Sequence, residues 1–143
     1  MIMSAKTKFL LIQGLLTFLF VLPVDSQTVN EWRGSGRTGI YSESSLLKSW
    51  PAAGPSLLWE STEAGTGYSS VTVTGDVVYI TGRKGDDDYL TAYTQDGKVK
   101  WSTRYGKSSD SNYPDTRSTP TYSNGRLYLV SGSGDMVCIG TDG

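Results

Sequence analysis

The chain of 143 residues contains no histidine and a single cysteine, Cys138. Without histidine there is no imidazole base for a serine or cysteine triad and no histidine ligand for zinc. One thiol closes no internal disulfide. Charge of either sign is also sparse: 13 Lys and Arg stand against 14 Asp and Glu, and no like-charge block is longer than Asp86-Asp87-Asp88. Nucleic-acid binding needs a positive face for phosphates, which this balance does not supply. From Ser69 onward there is no helical periodicity of useful length. What is plentiful is glycine (17), tyrosine (9) and tryptophan (4), the make-up of an ordered, turn-rich globular protein.

The first residues differ from the rest. Lys6 and Lys8 precede an apolar run from Phe9 to Val24, interrupted only by Gln13, Gly14, Thr17 and Pro23. This is a signal-peptide layout, and Val24-Asp25-Ser26 places small or β-branched residues where a signal peptidase pocket needs them, with cleavage expected before Gln27. Read instead as an uncleaved anchor, the run is short of a hydrocarbon core of about 30 Å at about 1.5 Å per helical residue. The expected organisation is a signal-peptide helix over residues 1–26 and an exported mature part over 27–143, in a bacterial periplasm or outside the cell, with no stable membrane span after cleavage. The mature part keeps 11 basic and 13 acidic residues.

Beyond Ser69, short runs rich in β-branched and aromatic residues alternate with glycine turns. They are Ser69-Ser70-Val71-Thr72-Val73-Thr74, Val77-Val78-Tyr79-Ile80-Thr81, Tyr89-Leu90-Thr91-Ala92-Tyr93 and Lys98-Val99-Lys100-Trp101-Ser102. Gly75-Asp76, Lys84-Gly85-Asp86 and Asp96-Gly97 separate them, the middle one read as the longest hairpin insertion. The order then returns in Ser118-Thr119-Pro120-Thr121-Tyr122, Arg126-Leu127-Tyr128-Leu129-Val130 and Asp135-Met136-Val137-Cys138-Ile139. Tyr79 to Tyr128 is 49 residues and Gly97 to Gly143 is 46. A period in the forties with four short strands per unit predicts an all-β fold of propeller blades, each a four-stranded antiparallel sheet packed on its neighbour. Trp59 and Trp101, 42 residues apart, are expected on equivalent outer strands with their rings between blades.

These residues resemble the PQQ-binding-like β-propeller repeat family of the quinoprotein alcohol dehydrogenase-like superfamily. The resemblance is carried by Ala92-Tyr93-Thr94-Gln95-Asp96-Gly97-Lys98-Val99-Lys100-Trp101, by Ser118-Thr119-Pro120-Thr121, by Leu127-Tyr128-Leu129, and by the entry segment Trp32-Arg33-Gly34-Ser35-Gly36-Arg37-Thr38-Gly39 with Ser49-Trp50-Pro51. It implies an N-terminal fragment, an entry segment plus about two blades of an incomplete propeller, whose remaining blades would lie further along the same chain. Thr94 and Gly140 stand where the family's repeat often has Asp, so incomplete hydrogen bonding around the docked tryptophans is expected.

Within that resemblance three functions stay open. The leading one is an exported non-catalytic scaffold that binds a protein or a small-molecule ligand. The alternative is a quinoprotein dehydrogenase dependent on pyrroloquinoline quinone (PQQ) and calcium, with its catalytic blades beyond this fragment; the adjacent cysteines of such enzymes have no counterpart here, where Cys138 is alone. A third is a secreted carbohydrate-binding module. No cofactor is expected in the fragment itself.

Candidate ligand-binding residues fall on the loops leading into the inner strand of each blade. Tyr113, Asp115 and Arg117 combine an aromatic face, a carboxylate and a guanidinium, and the equivalent earlier loop offers Glu63, Tyr68 and Ser69. The competing reading is ordinary loop polarity with Arg117 paired to Asp115. Asp86, Asp87 and Asp88 are a weak calcium candidate, lacking the spacing of an EF-hand, and are read as a solvated acidic turn. Gly132-Ser133-Gly134-Asp135 is read as a hairpin turn rather than a phosphate loop, since no helix follows it. Cys138 is read as a small buried hydrophobe.

Overall fold

The computed structural model of the chain describes residues 29–30, 32–41, 44–111 and 113–143; the expected signal-peptide helix over 1–26 lies outside them. A two-residue strand, β1 (Val29–Asn30), comes first, followed by a 3-10 turn at Ser35–Arg37. Seven strands follow: β2 (Thr72–Thr74), β3 (Val77–Lys84), β4 (Asp87–Thr94), β5 (Val99–Lys107), β6 (Thr121–Ser123), β7 (Arg126–Val130) and β8 (Met136–Gly140). The first sheet has the order β2-β3-β4-β5 and the second β1-β6-β7-β8, with every neighbouring pair antiparallel. Among the described residues no helix is long and apolar enough to cross a membrane.

The first sheet is the four-stranded unit that the repeat predicts, with β3, β4 and β5 longer than their runs and β2 shorter. Lys84 pairs with Asp87, so Gly85 and Asp86 form a two-residue turn rather than an insertion. Gly85 takes a φ of 64°, which suits such a turn. Strand β5 runs on to Lys107, through the first residues expected to be loop.

The second sheet contains the three expected repeat strands, β6, β7 and β8, and its fourth member, β1, lies on the β6 side. The outer edge of β8, where β5 lies against β4 in the first sheet, has no strand beside it among the described residues. Trp59, expected on an outer strand, is not part of one, and no sister strand lies beside it among the described residues.

The core lies between the two sheets. Tyr79, Leu90 and Ala92 of the first meet Leu127, Leu129 and Ile139 of the second, joined by Tyr105 from β5. Side chains alternate in direction along a strand, so one set of alternate positions in each sheet faces the other sheet. Each fully buried large apolar side chain contributes about 1.5–3 kcal/mol of transfer free energy, which makes this face the main source of stability.

Candidate functional site

An indole docks on the turn that follows β4 in the first sheet and on the turn that follows β8 in the second, and the latter contact, from Trp101 of β5, joins the two sheets. The Trp59 indole N–H donates to the Gln95 carbonyl at 2.8 Å, and its ring stacks on Tyr93 at 5.7 Å between centroids. Trp101 repeats this one unit later, donating to the Thr141 carbonyl at 3.1 Å. Each indole lies over the glycine of a turn: a Cβ on Gly97 would sit 2.6 Å from Trp59 Cδ2, and one on Gly143 would sit 3.1 Å from Trp101 Cδ2. The expectation of incomplete docking is therefore corrected. Thr94 replaces the usual carboxylate by accepting from the Lys98 N–H at 3.0 Å, and Asp142 fills the space beside Gly140.

Small residues and backbone groups support both of these contacts. Thr66 and Arg83 exchange backbone hydrogen bonds of 3.1 and 2.7 Å, and Gly82 lies against the Ala64 carbonyl. One unit on, Ser133 N–H donates to the Lys107 carbonyl at 3.1 Å and Gly106 lies against Ser131.

The three aspartates do not form one site. Asp86 is exposed beside Arg83, whereas Asp87 pairs with Arg104 at 3.0 Å and Lys107 at 3.1 Å. Hydrogen bonds from those two cations hold the Asp87 carboxyl below its ordinary range. Asp88 is only 1% exposed, accepting from Ser108 Oγ and, at 2.7 Å, from the Gly132 N–H across the junction. The reading as a solvated acidic turn is thus wrong for Asp88, and the divergence of the three carboxylates leaves no calcium cradle. Among the described residues no group of three or more His, Cys, Asp or Glu could hold a metal ion. Cys138 is exposed rather than buried, because it lies on the face of β8 that no sheet covers among the described residues. Gly132 to Asp135 form the expected hairpin turn, closed by Ser131 N–H to the Asp135 carbonyl at 2.9 Å.

The loops entering β2 and β6 run side by side. Gly67 and Thr116 form a parallel bridge, Tyr68 N–H donates to the Thr116 carbonyl at 2.7 Å, and Ser70 N–H donates to Thr119 Oγ1 at 3.0 Å. Of the expected site residues, this brings Tyr68 and Arg117 to one cleft of about 500 Å³, lined also by Trp32, Arg37, Ser70, Thr119 and Thr121. A smaller hollow of about 350 Å³, also lined by Arg117, includes Asp115. Arg117 is common to both. Its guanidinium donates to the Tyr113 carbonyl and lies 5.4 Å from the centre of that ring. Asp115 accepts from Thr66 Oγ1 at 2.8 Å, so it ties the two loops together where pairing with Arg117 was the competing expectation. Ser69 donates to the Thr81 carbonyl at 3.2 Å and serves the backbone. Trp32 and Arg37 were missed as cleft residues, although both stand in the entry segment that carried the family resemblance.

Repeated four-stranded sheets, packed face to face and locked at the outer strand by a tryptophan on the next unit's glycine turn, define an incomplete β-propeller of PQQ-like repeats. The particular family follows from comparison of the sequence: residues 32–143 match the family described as outer membrane protein assembly factor BamB, and the chain belongs to it. No curated protein and no solved structure matches the chain.

Proposed function

We propose that this chain is an exported, non-catalytic propeller scaffold that binds a polypeptide segment at the cleft between its entry segment and its two inner-strand loops. The observation that carries the reading is the make-up of that cleft: two exposed rings, Trp32 and Tyr68, beside the guanidinium groups of Arg37 and Arg117 and the hydroxyls of Ser70, Thr119 and Thr121. Rings supply contact area at low entropy cost, guanidinium groups take carboxylates in a fork, and hydroxyls adapt to backbone groups. A stretch of polypeptide carrying an acidic side chain or a C-terminal carboxylate fits this set. The family description, an outer membrane protein assembly factor, supports a role on other polypeptides and a location outside the cytoplasm.

The test is binding of fluorescent acidic and neutral peptides of equal length to the chain, alongside titration with PQQ and calcium. The expected outcome is preference for the acidic peptide, weakened about tenfold or more in Arg117→Ala, in line with the about 1.5–3 kcal/mol of a charge-assisted hydrogen bond. Saturable PQQ binding with no peptide preference would replace the scaffold reading with the dehydrogenase.

A further inference from the structure

Arg83 stands near the end of β3, where its backbone lies opposite Asp88 and exchanges hydrogen bonds with Thr66. Neither role needs a side chain. The counterpart of Arg83 in the second unit, 49 residues on, is Gly132. A guanidinium at this place is therefore not demanded by strand pairing or by the packing of one unit on the next.

The side chain reaches instead to the loop between β5 and β6. It is 18% exposed, and it donates from Nε to the Gly85 carbonyl at 2.6 Å and from Nη1 to the Ser109 and Pro114 carbonyls, both at 3.4 Å. One nitrogen thus ties together two points of the loop. Nη2 lies 3.5 Å from Asp86 and 3.8 Å from Asp110, but those carboxylates are 83% and 92% exposed, and water screens such pairs. The carbonyls are the firmer partners, because a guanidinium presents its donors in a rigid fork and a charged donor makes the stronger hydrogen bond.

What this loop presents is Arg117. The Arg117 guanidinium donates to the Tyr113 carbonyl and stands 5.4 Å from the centre of the Tyr113 ring, so its place follows that of Tyr113. Pro114, whose carbonyl Arg83 holds, is the next residue. Thr66, bonded to the Arg83 backbone, gives its hydroxyl to Asp115 at 2.8 Å. Arg83 therefore holds the loop immediately after Tyr113 without lining the cleft itself.

We infer that Arg83 is a positioning residue for the carboxylate-binding role proposed for Arg117, on which the inference rests: by fixing the loop at Ser109 and Pro114 it sets the Arg117 guanidinium in the cleft before a peptide arrives. A free arginine side chain loses many rotamers when it is immobilised, and one already held in place avoids that loss on binding. The benefit belongs to acidic ligands. A neutral peptide, held through Trp32 and Tyr68, does not draw on it.

The test is a double-mutant cycle on the full chain with the fluorescent acidic and neutral peptides, each variant compared at equal folded fraction from urea unfolding. Arg83→Ala is expected to weaken the acidic peptide about three- to tenfold, to leave the neutral one within about twofold, and to add nothing once Arg117 is replaced by alanine. Arg83→Lys keeps the charge without the fork and is expected to behave as Arg83→Ala does; it also carries the test if the alanine variant does not fold. Equal losses for both peptides, additivity with Arg117→Ala, or full affinity in Arg83→Lys would each overturn the inference. Amide exchange without peptide separates it from the cleft's proposed role. The Tyr68 N–H, which donates to the Thr116 carbonyl, is expected to exchange about tenfold faster in the Arg83 variants while the amides between β3 and β4 keep their rates. Faster exchange in a chain whose wild type shows no preference for the acidic peptide refutes the role of the cleft and leaves the hold of Arg83 on the loop standing. Unchanged exchange refutes that hold whatever the peptides do.

Discussion

Asp86, Asp87 and Asp88 are adjacent in sequence, yet they occupy three environments, and their substitutions separate accordingly. Asp88→Ala leaves the Gly132 N–H and the Ser108 hydroxyl without their buried acceptor and is expected to cost about 1–3 kcal/mol in urea unfolding. Asp86→Ala, which removes an exposed pair at 3.5 Å, should change stability by less than about 0.5 kcal/mol. Tyr105 adds a dependence on alkali. Burial first, and the Asp88 charge second, push its phenol well above the ordinary 10.0. The unfolded chain ionises this phenol near pH 10 while the folded one keeps it neutral, so the contribution is complete below pH 10 and declines as pH rises beyond it. Burial first, and the charge of Tyr122 second, raise Tyr79 as well. Tyr105→Phe is therefore expected to flatten, without abolishing, the loss of stability between pH 10 and 12, as read from urea midpoints at each pH. None of this was legible in the sequence, where three aspartates look alike. The alternation of a strand shows that Asp88 and Asp87 face opposite ways, but which side is covered depends on the next sheet.

The strand runs were legible because β-branched residues and glycine turns punctuate them, and β7 falls where its run predicted. Elements were less legible where pairing, rather than propensity, sets their length. The Lys84 to Asp87 end of the β3–β4 hairpin carries charged residues that read as loop; it is strand because Asp87 holds Arg104 and Lys107 of β5. Cys138 was misread for a related reason: a two-residue period gives two faces and does not say which one a neighbour covers. The tryptophan junction was foreseen as packing with incomplete hydrogen bonding; the bonds are made because the indoles donate to backbone carbonyls, which leave no side-chain signature. Two substitutions separate these contributions. Trp101→Phe keeps a ring and loses the bond to Thr141, with an expected cost of about 0.5–1.5 kcal/mol beyond the lost area. Gly97→Ala puts a methyl 2.6 Å from the Trp59 ring at a φ of 83° and is expected to displace that indole, seen as a red-shifted tryptophan emission with a loss of more than about 1 kcal/mol.

For the whole molecule, the repeat gave the architecture from sequence alone, while the cleft between entry segment and loops depended on residues far apart in the chain and was seen only in part, through Tyr68 and Arg117. The junction between the two sheets also has a shape. Towards the inner strands the neighbours touch through hydroxyl-bearing side chains, Thr72 to the Pro120 carbonyl and Thr119 to the Ser70 N–H, whereas towards the outer strands an indole stands between them. A contact that is thin on one side and thick on the other is a wedge, and wedges laid in series turn a row into an arc. The bulk of the outer aromatic against the smallness of the inner hydroxyls thus sets the angle per unit, and with it how many units make a full turn. Trimming the indole or enlarging an inner threonine would change the angle between neighbouring sheets before it changed the fold of either one.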